Sequence, residues 1–173
     1  STAGANGIRA LPYLSPAGER APFVDHNARA SLEGLSIEST PSDVVRSYCE
    51  ALGYAARHCF DAAGLRGSVA VCGGGAASSE LVQLFSDIMG RPLSVVVNDE
   101  PAARGAVKVA ALALGTPDGN RAVFNLVEPD ERLAGYYADE YSRYLTRVEL
   151  ARAQWNSEST QPRIACNQSA SEE

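Results

Sequence analysis

The sequence predicts an α/β fold, and three observations carry that prediction. Helical and strand periods alternate between Thr40 and Leu114. Glycine and proline mark the changes of period. A triple glycine, Gly73, Gly74 and Gly75, joins the apolar run SVAVC to the amphipathic run SELVQLFSDIM. The order helix, strand, helix, strand, helix implies a sheet covered by helices.

Composition narrows the class. The chain has 173 residues, long enough for a hydrophobic core of its own. Its net charge of −6 argues against a nucleic-acid surface. Apolar runs fall short of the roughly 18 residues of a membrane span, so we expect no membrane contact. The chain starts at Ser1 without an initiator Met or a signal-peptide pattern, so we expect a fragment of something longer. Cys49, Cys59, Cys72 and Cys166 form no CxxC pair, and His26 and His58 are not spaced to complete a metal site. We therefore expect buried structural thiols in a reducing, cytoplasmic setting.

In chain order, IRALPYL has strand-forming residues, SPAGERAPF is a punctuated loop, and ARASLEGLS returns as a strand. Thr40, Pro41 and Asp43 then make a helix start, with a hydroxyl cap, proline at the first position and a carboxylate three residues on. Val45, Tyr48, Cys49, Leu52, Ala56, Cys59, Phe60 and Ala63 recur at helical spacing, and Gly64 ends the run. GSVAVC is a strand. The helix after the glycines buries Leu81, Leu84, Phe85 and Ile88 and closes at Gly90. RPLSVVV is a second strand, and a third helix, Pro101 to Leu114, is alanine-rich enough for close approach of neighbours. A long helix follows from about Asp130 to Trp155, its stripe of Leu133, Tyr137, Tyr141, Tyr144, Val148, Ala151 and Trp155 a packing face. The polar segment 156–173 is expected to be disordered.

Two motifs bear on chemistry. A glycine turn between strand and helix lets backbone approach a ligand, and the helix start offers free N–H groups. Ser78 and Ser79 either cap that helix or contact the ligand. The turn is equally compatible with a tight connection that binds nothing. A dinucleotide fingerprint fits Gly73 and Gly75, puts its third glycine on Ser78, and would use Asp99 or Glu100 for the ribose. A Walker A loop is excluded, since GK[ST] does not occur. Glu19, Arg20, Asp25 and His26 crowd the loop SPAGERAPFVDHN. They read either as acid–base or sugar-hydroxyl contacts or as a Glu–Arg pair with an Asx-type turn.

Taken in order, the pieces resemble the FGGY carbohydrate kinases. LPYLSPAGERAPFVDHNARASLEGLS is similar to that family's PYLxGERxPxxDxxARGxxxGLS, and PSDVVRSYCEALGYAAR to its second signature, with Glu50 as the acidic residue. VCGGGAASSELVQLFSDIMGRPL resembles GGGAxSxLxxQxxADxxGxPV, and EPAARGAVKVAALALG resembles ExxALGAAxLAAxxxG. The departures are SPAGER in place of SGER, Ser47-Tyr48-Cys49 where small and aliphatic residues are usual, and Ser86 for an alanine. Beyond about residue 115 the likeness is loose.

The resemblance implies an actin-like, ribonuclease-H-like ATPase fold, of which this chain is the C-terminal lobe of a sugar kinase. Residues 1–115 would be part of the ATP-binding lobe, 116–155 its helical extension and 156–173 a tail. Adenosine would lie against Gly73, Gly74, Gly75 and Ser78. ATP and Mg²⁺ would be the cosubstrate and its ion, and a small sugar or polyol (xylulose, ribulose or erythritol) the acceptor. The catalytic aspartate, the phosphate loop and the metal-holding carboxylates are not matched here, so the partner is the N-terminal lobe and the chain should not turn over alone. A homodimer stays open. The alternatives are an NAD-binding oxidoreductase fragment and a non-catalytic actin-like interaction module.

Overall fold

The computed structural model describes residues 1–96, 100–116 and 123–158. Asp99 and Cys166 lie outside the described residues, as does most of the segment 156–173. The elements are β1 (Arg9–Leu11), β2 (Ser31–Glu33), α1 (Pro41–Ala62), β3 (Val69–Val71), α2 (Ser79–Met89), β4 (Leu93–Val96), α3 (Pro101–Leu114), β5 (Phe124–Val127) and α4 (Ala134–Glu158).

The N-terminal segment forms the expected hairpin, β1 antiparallel to β2 with Ala10 opposite Leu32. Between the strands the SPAGERAPF loop closes on a bridge from Glu19 to Asp25. α1 starts as its sequence dictates. Thr40 accepts from the Asp43 N–H at 3.3 Å while the Asp43 carboxylate accepts from the Thr40 N–H at 3.0 Å.

The buried face of α1 differs from the expected one. Val45 and Leu52 are 63% and 49% exposed, whereas Ser47, Glu50, Ala51 and Tyr54 are buried. The reason is polar satisfaction. Ser47 Oγ donates to the Val44 carbonyl at 2.8 Å, and Glu50 accepts from Arg46 Nε at 2.8 Å and from the Gly4 N–H at 2.9 Å. A buried polar group with partners costs little, and an apolar periodicity cannot see it. Gly53 lies on this face, where a Cβ would come 2.6 Å from Ile88 Cδ1, so α1 and α2 pack close.

α2 is packed on two sides. Leu84 and Ile88 join Leu11, Tyr13, Tyr54 and the α4 stripe in the main core. Val82 and Met89 pack with Val69 and Leu93 over the sheet. Ser86 Oγ reaches the carbonyls of Arg91 and Val127, both at 3.0 Å, tying α2 to β5. The helix closes at Gly90, in the left-handed conformation with φ 61°.

The sheet runs β3-β4-β5, with β3 parallel to β4 and β5 antiparallel to it. β5, FNLV, is too short to carry a readable period, and sequence periodicity passes over it inside a segment expected to be helical. Helices cover the sheet as the element order implies, with Phe60 of α1 and Val82, Phe85 and Met89 of α2 packed on the face that carries Val69, Val71, Leu93, Val95 and Val127. Strand alternation puts Ala70, Ser94, Val96, Phe124 and Leu126 on the other face, and Phe124 and Leu126 are exposed. The close packing expected of α3 is not seen either: Val107, Val109, Leu112 and Leu114 all lie exposed.

α4 fulfils the aromatic stripe. Tyr137, Tyr141, Tyr144, Val148 and Trp155 are buried, and the Tyr13 and Tyr144 hydroxyls meet at 2.8 Å in the core. It runs through Asn156, Ser157 and Glu158, three residues into the expected tail. Glu140 anchors it to β1 by a two-pronged pair with Arg9 at 3.1 and 3.2 Å. The thiols are less uniform than expected: Cys49 and Cys59 are half-buried, while Cys72 is exposed at the end of β3.

Candidate functional site

β3 delivers the chain to the glycines, but they do not run straight into α2. Gly73 takes φ 89° and ψ −175°, a conformation that demands glycine. A short 3-10 turn, Gly74–Ala77, follows before Ser78 caps α2. Gly74 and Gly75 have ordinary φ, and a Cβ at either would meet nothing within 4 Å. Among the described residues, the fold therefore requires glycine at 73 and not at 74 or 75. At 74 and 75 the missing side chains leave open backbone that a ligand can approach.

Ser78 lies outside the first turn of α2, at the cap itself. Its hydroxyl accepts from the Leu81 N–H at 3.2 Å and donates to Glu80 at 3.2 Å. One lone pair remains for a ligand. Ser78 borders a groove of about 450 Å³ between the first turns of α1 and the start of α2. The apolar lining comes from Val45, Cys49, Leu81 and Leu84, and Ser42 and Glu80 add polar groups. A cleft of about 430 Å³ adjoins it, shared through Arg46, Glu80 and Leu84. Of the four residues expected to bind, only Ser78 lines the groove, and the three glycines lie just upstream.

The groove residues Ser42, Val45 and Cys49 were not among the sequence candidates. The signal available was Val45, an apolar residue that recurs at helical spacing along α1. Its exposure shows that it faces the groove.

Electrostatics decides what part of a nucleotide suits this site. A helix start favours an anion through free N–H groups and its dipole. Here that position holds Glu80, whose carboxyl is held below its ordinary value by its own backbone N–H, then by Ser78 and Ser79. An ionised carboxylate at the first turn repels phosphate. Arg46 lines the same groove as a cation, and the apolar part of the groove suits a flat, partly apolar group such as a base and its ribose. On the alternative ribose contact, Glu100 is the N-cap of α3 and makes no side-chain cap bond.

The second cluster serves the loop. Glu19 Oε1 accepts from the N–H groups of Arg20 and Ala21, at 2.7 and 3.2 Å. Asp25 Oδ1 accepts from the Asn27 N–H at 2.9 Å, an Asx turn. His26 Nδ1 lies 3.4 Å from the Ala17 carbonyl. The Glu19–Arg20 contact runs through backbone rather than as a side-chain pair. Among the described residues no three His, Cys, Asp or Glu side chains gather as a metal site, and no helix is long and apolar enough to cross a membrane.

The family model for the C-terminal domain of FGGY carbohydrate kinases matches residues 1–114. The chain is 40% identical over 120 residues to an erythritol kinase of Brucella abortus, covering 68% of this chain and 23% of that protein. It is 32% identical over 158 residues to a xylulose kinase of Haemophilus influenzae, covering 84% of this chain and 31% of that one. Among solved structures, a ligand-bound xylulose kinase from Lactobacillus acidophilus superposes with a TM-score of 0.78 at 23% identity. That superposition covers 91% of this chain and 34% of the kinase, and it supports the actin-like ATPase fold. The chain thus spans roughly a quarter to a third of the kinases it resembles. With its helix starts, glycine turn and fold all in the family's order, this chain belongs to the FGGY carbohydrate kinases, as their C-terminal domain.

Proposed function

We propose that this chain is the adenosine-binding part of an ATP-dependent carbohydrate kinase, one that moves the γ-phosphoryl group of ATP to a hydroxyl of a small sugar or polyol. The observation that carries the reading is the open backbone at Gly74 and Gly75, where nothing among the described residues calls for glycine. The base would enter the groove between α1 and α2 and pack on Val45, Leu81 and Leu84. Ser78, with its remaining lone pair, would accept from an amino or hydroxyl group of the adenosine. Ionised Glu80 would turn the phosphates away from the α2 terminus.

Phosphoryl transfer rests on positioning and charge stabilisation. Mg²⁺ would supply the charge that offsets the phosphates, and the described residues offer no cluster to hold it. The metal ligands and the base that deprotonates the sugar hydroxyl would come from the remainder of a longer polypeptide. The uncovered sheet face and the exposed apolar side chains of α3 are surfaces that such a remainder would cover. A ketopentose or a polyol such as erythritol is the acceptor we favour, given the relatives' names.

Calorimetric titration with ATP and with NAD tests the reading. Weak, saturable ATP binding is expected, lost at least tenfold in Gly74→Leu with an unchanged circular dichroism spectrum. A preference for NAD, or unchanged ATP binding in Gly74→Leu, would overturn it.

A further inference from the structure

The cleft between the β1–β2 hairpin and the last turns of α4 is positively biased in a chain of net charge −6. It has a volume of about 380 Å³, and its charged lining among the described residues is Arg29 and Arg147 against Glu33. Ser31, Gln154 and Trp155 also line it, and it shares no residue with the α1–α2 groove.

Arg147 is the unusual member. Its Nε and Nη1 are buried with no hydrogen-bond partner among the described residues. Two of the neighbouring acids are already engaged, which leaves Glu33 facing it. Glu140 accepts from Arg9 with both oxygens and from Arg143 at 2.6 Å, while Glu50 accepts from Arg46. Burial pushes the Arg147 guanidinium below its ordinary pKa, with Glu33 opposing that shift. A second cavity of only about 10 Å³ also borders Arg147, beside the buried and unpartnered Tyr54 hydroxyl. A space of that size holds at most one water. Water can satisfy an N–H group but does not neutralise a desolvated cation.

Across the cleft, Arg29 is held in place by its Nη1, which donates to the carbonyls of His26 and Ala28 at 3.1 and 2.7 Å. Its Nε and Nη2 are not needed for those bonds. Two guanidiniums face one carboxylate, Glu33, on one concave surface, and Arg147 keeps N–H groups without hydrogen bonds among the described residues, an arrangement suited to an oxyanion.

We propose that this cleft binds a small oxyanion, a phosphate or carboxylate group, recognised by Arg147 and Arg29. The volume leaves room for a body of several carbon atoms behind the anionic group. The site is independent of the nucleotide reading, since none of its residues borders the groove.

The test titrates the full 173-residue chain with inorganic phosphate, with malonate, and with chloride at matched ionic strength. Saturable binding of phosphate or malonate is expected, weakened at least tenfold by Arg147→Gln and by Arg29→Ala, with Arg147→Lys intermediate. The Arg147 Nε–H resonance should shift on saturation. Binding of phosphate alone assigns phosphoryl ligands, of malonate alone carboxylates, and of both a general oxyanion site. Arg29 is exposed, so Arg29→Ala carries the test if Arg147→Gln does not fold. ATP binding should not change in Arg29→Ala. Binding of neither anion, an equal response to chloride, or unchanged affinity in Arg29→Ala overturns the proposal.

Discussion

Gly53→Ala puts a methyl group into the tightest approach of α1 to α2. The added Cβ would lie 2.6 Å from Ile88 Cδ1 and 3.4 Å from its Cγ2. Carbon atoms prefer about 3.5–4.0 Å, so the overlap is near 1 Å. Ile88 is fully buried and has no solvent side to swing into. Either it leaves its rotamer, at about 0.5–1.5 kcal/mol, or the helices part and the core loosens. Overpacking of this kind costs about 1–3 kcal/mol, while alanine returns up to about 1 kcal/mol of helix propensity. The net expectation is destabilisation by about 1–2 kcal/mol. Urea unfolding followed by circular dichroism should show a lower midpoint with an unchanged slope. Gly105→Ala is the control. Gly105 is also inside a helix, but nothing lies within 4 Å of its Cβ position. There the same change should stabilise α3 locally by about 0.5–1 kcal/mol, read as slower amide exchange. If Gly53→Ala stabilised the protein as Gly105→Ala does, the close α1–α2 packing would be wrong.

The Asp43 carboxyl is lowered to about 2, first by the Thr40 hydroxyl and backbone and then by Ser1. It therefore contributes stability above its unfolded value near 3.8 and loses it as pH falls toward 2, and Asp43→Asn should flatten acid unfolding over that window. Burial raises Tyr13 and Tyr137 to about 12, so stability should fall as pH climbs through 10 toward 12. Absorbance titration should find these phenols ionising late, and ionisation near 10 in the folded chain would count against the core. Tyr13→Phe strands the Tyr144 hydroxyl and should cost about 1–2 kcal/mol in thermal or urea unfolding. Cys72, exposed, should react with an alkylating reagent well before Cys59, whose thiol burial pushes up; peptide mapping decides.

Local chemistry made much of this fold legible. The Thr40–Asp43 cap, the Gly90 stop and the tyrosine stripe of α4 each have a sequence-local cause, and each stands where expected. The failures share a cause as well, because each depends on partners distant in sequence. The buried face of α1 is polar where Glu50 meets Gly4 and Arg46, and counting apolar residues cannot find that face. β5 owes its existence to pairing with β4, as it is too short to carry a readable period of its own. The groove has the same origin, since helical spacing marks Val45 as apolar but only the tertiary structure sets it with Leu81 and Ser78 along one groove. The glycine turn was found, but its division into one glycine the backbone needs and two it does not need appears only in three dimensions.

The claim on which the rest turns is that this domain reads the adenosine and leaves the phosphates to other residues. The direct measurement is a series of dissociation constants for adenosine, AMP, ADP and ATP, taken under one set of salt conditions. With Glu80 ionised at the α2 terminus, the four should agree within about threefold, since phosphate seated there would meet a like charge. Affinity that rises tenfold or more with each added phosphate would contradict the account and put the phosphates, not the base, on the glycine turn.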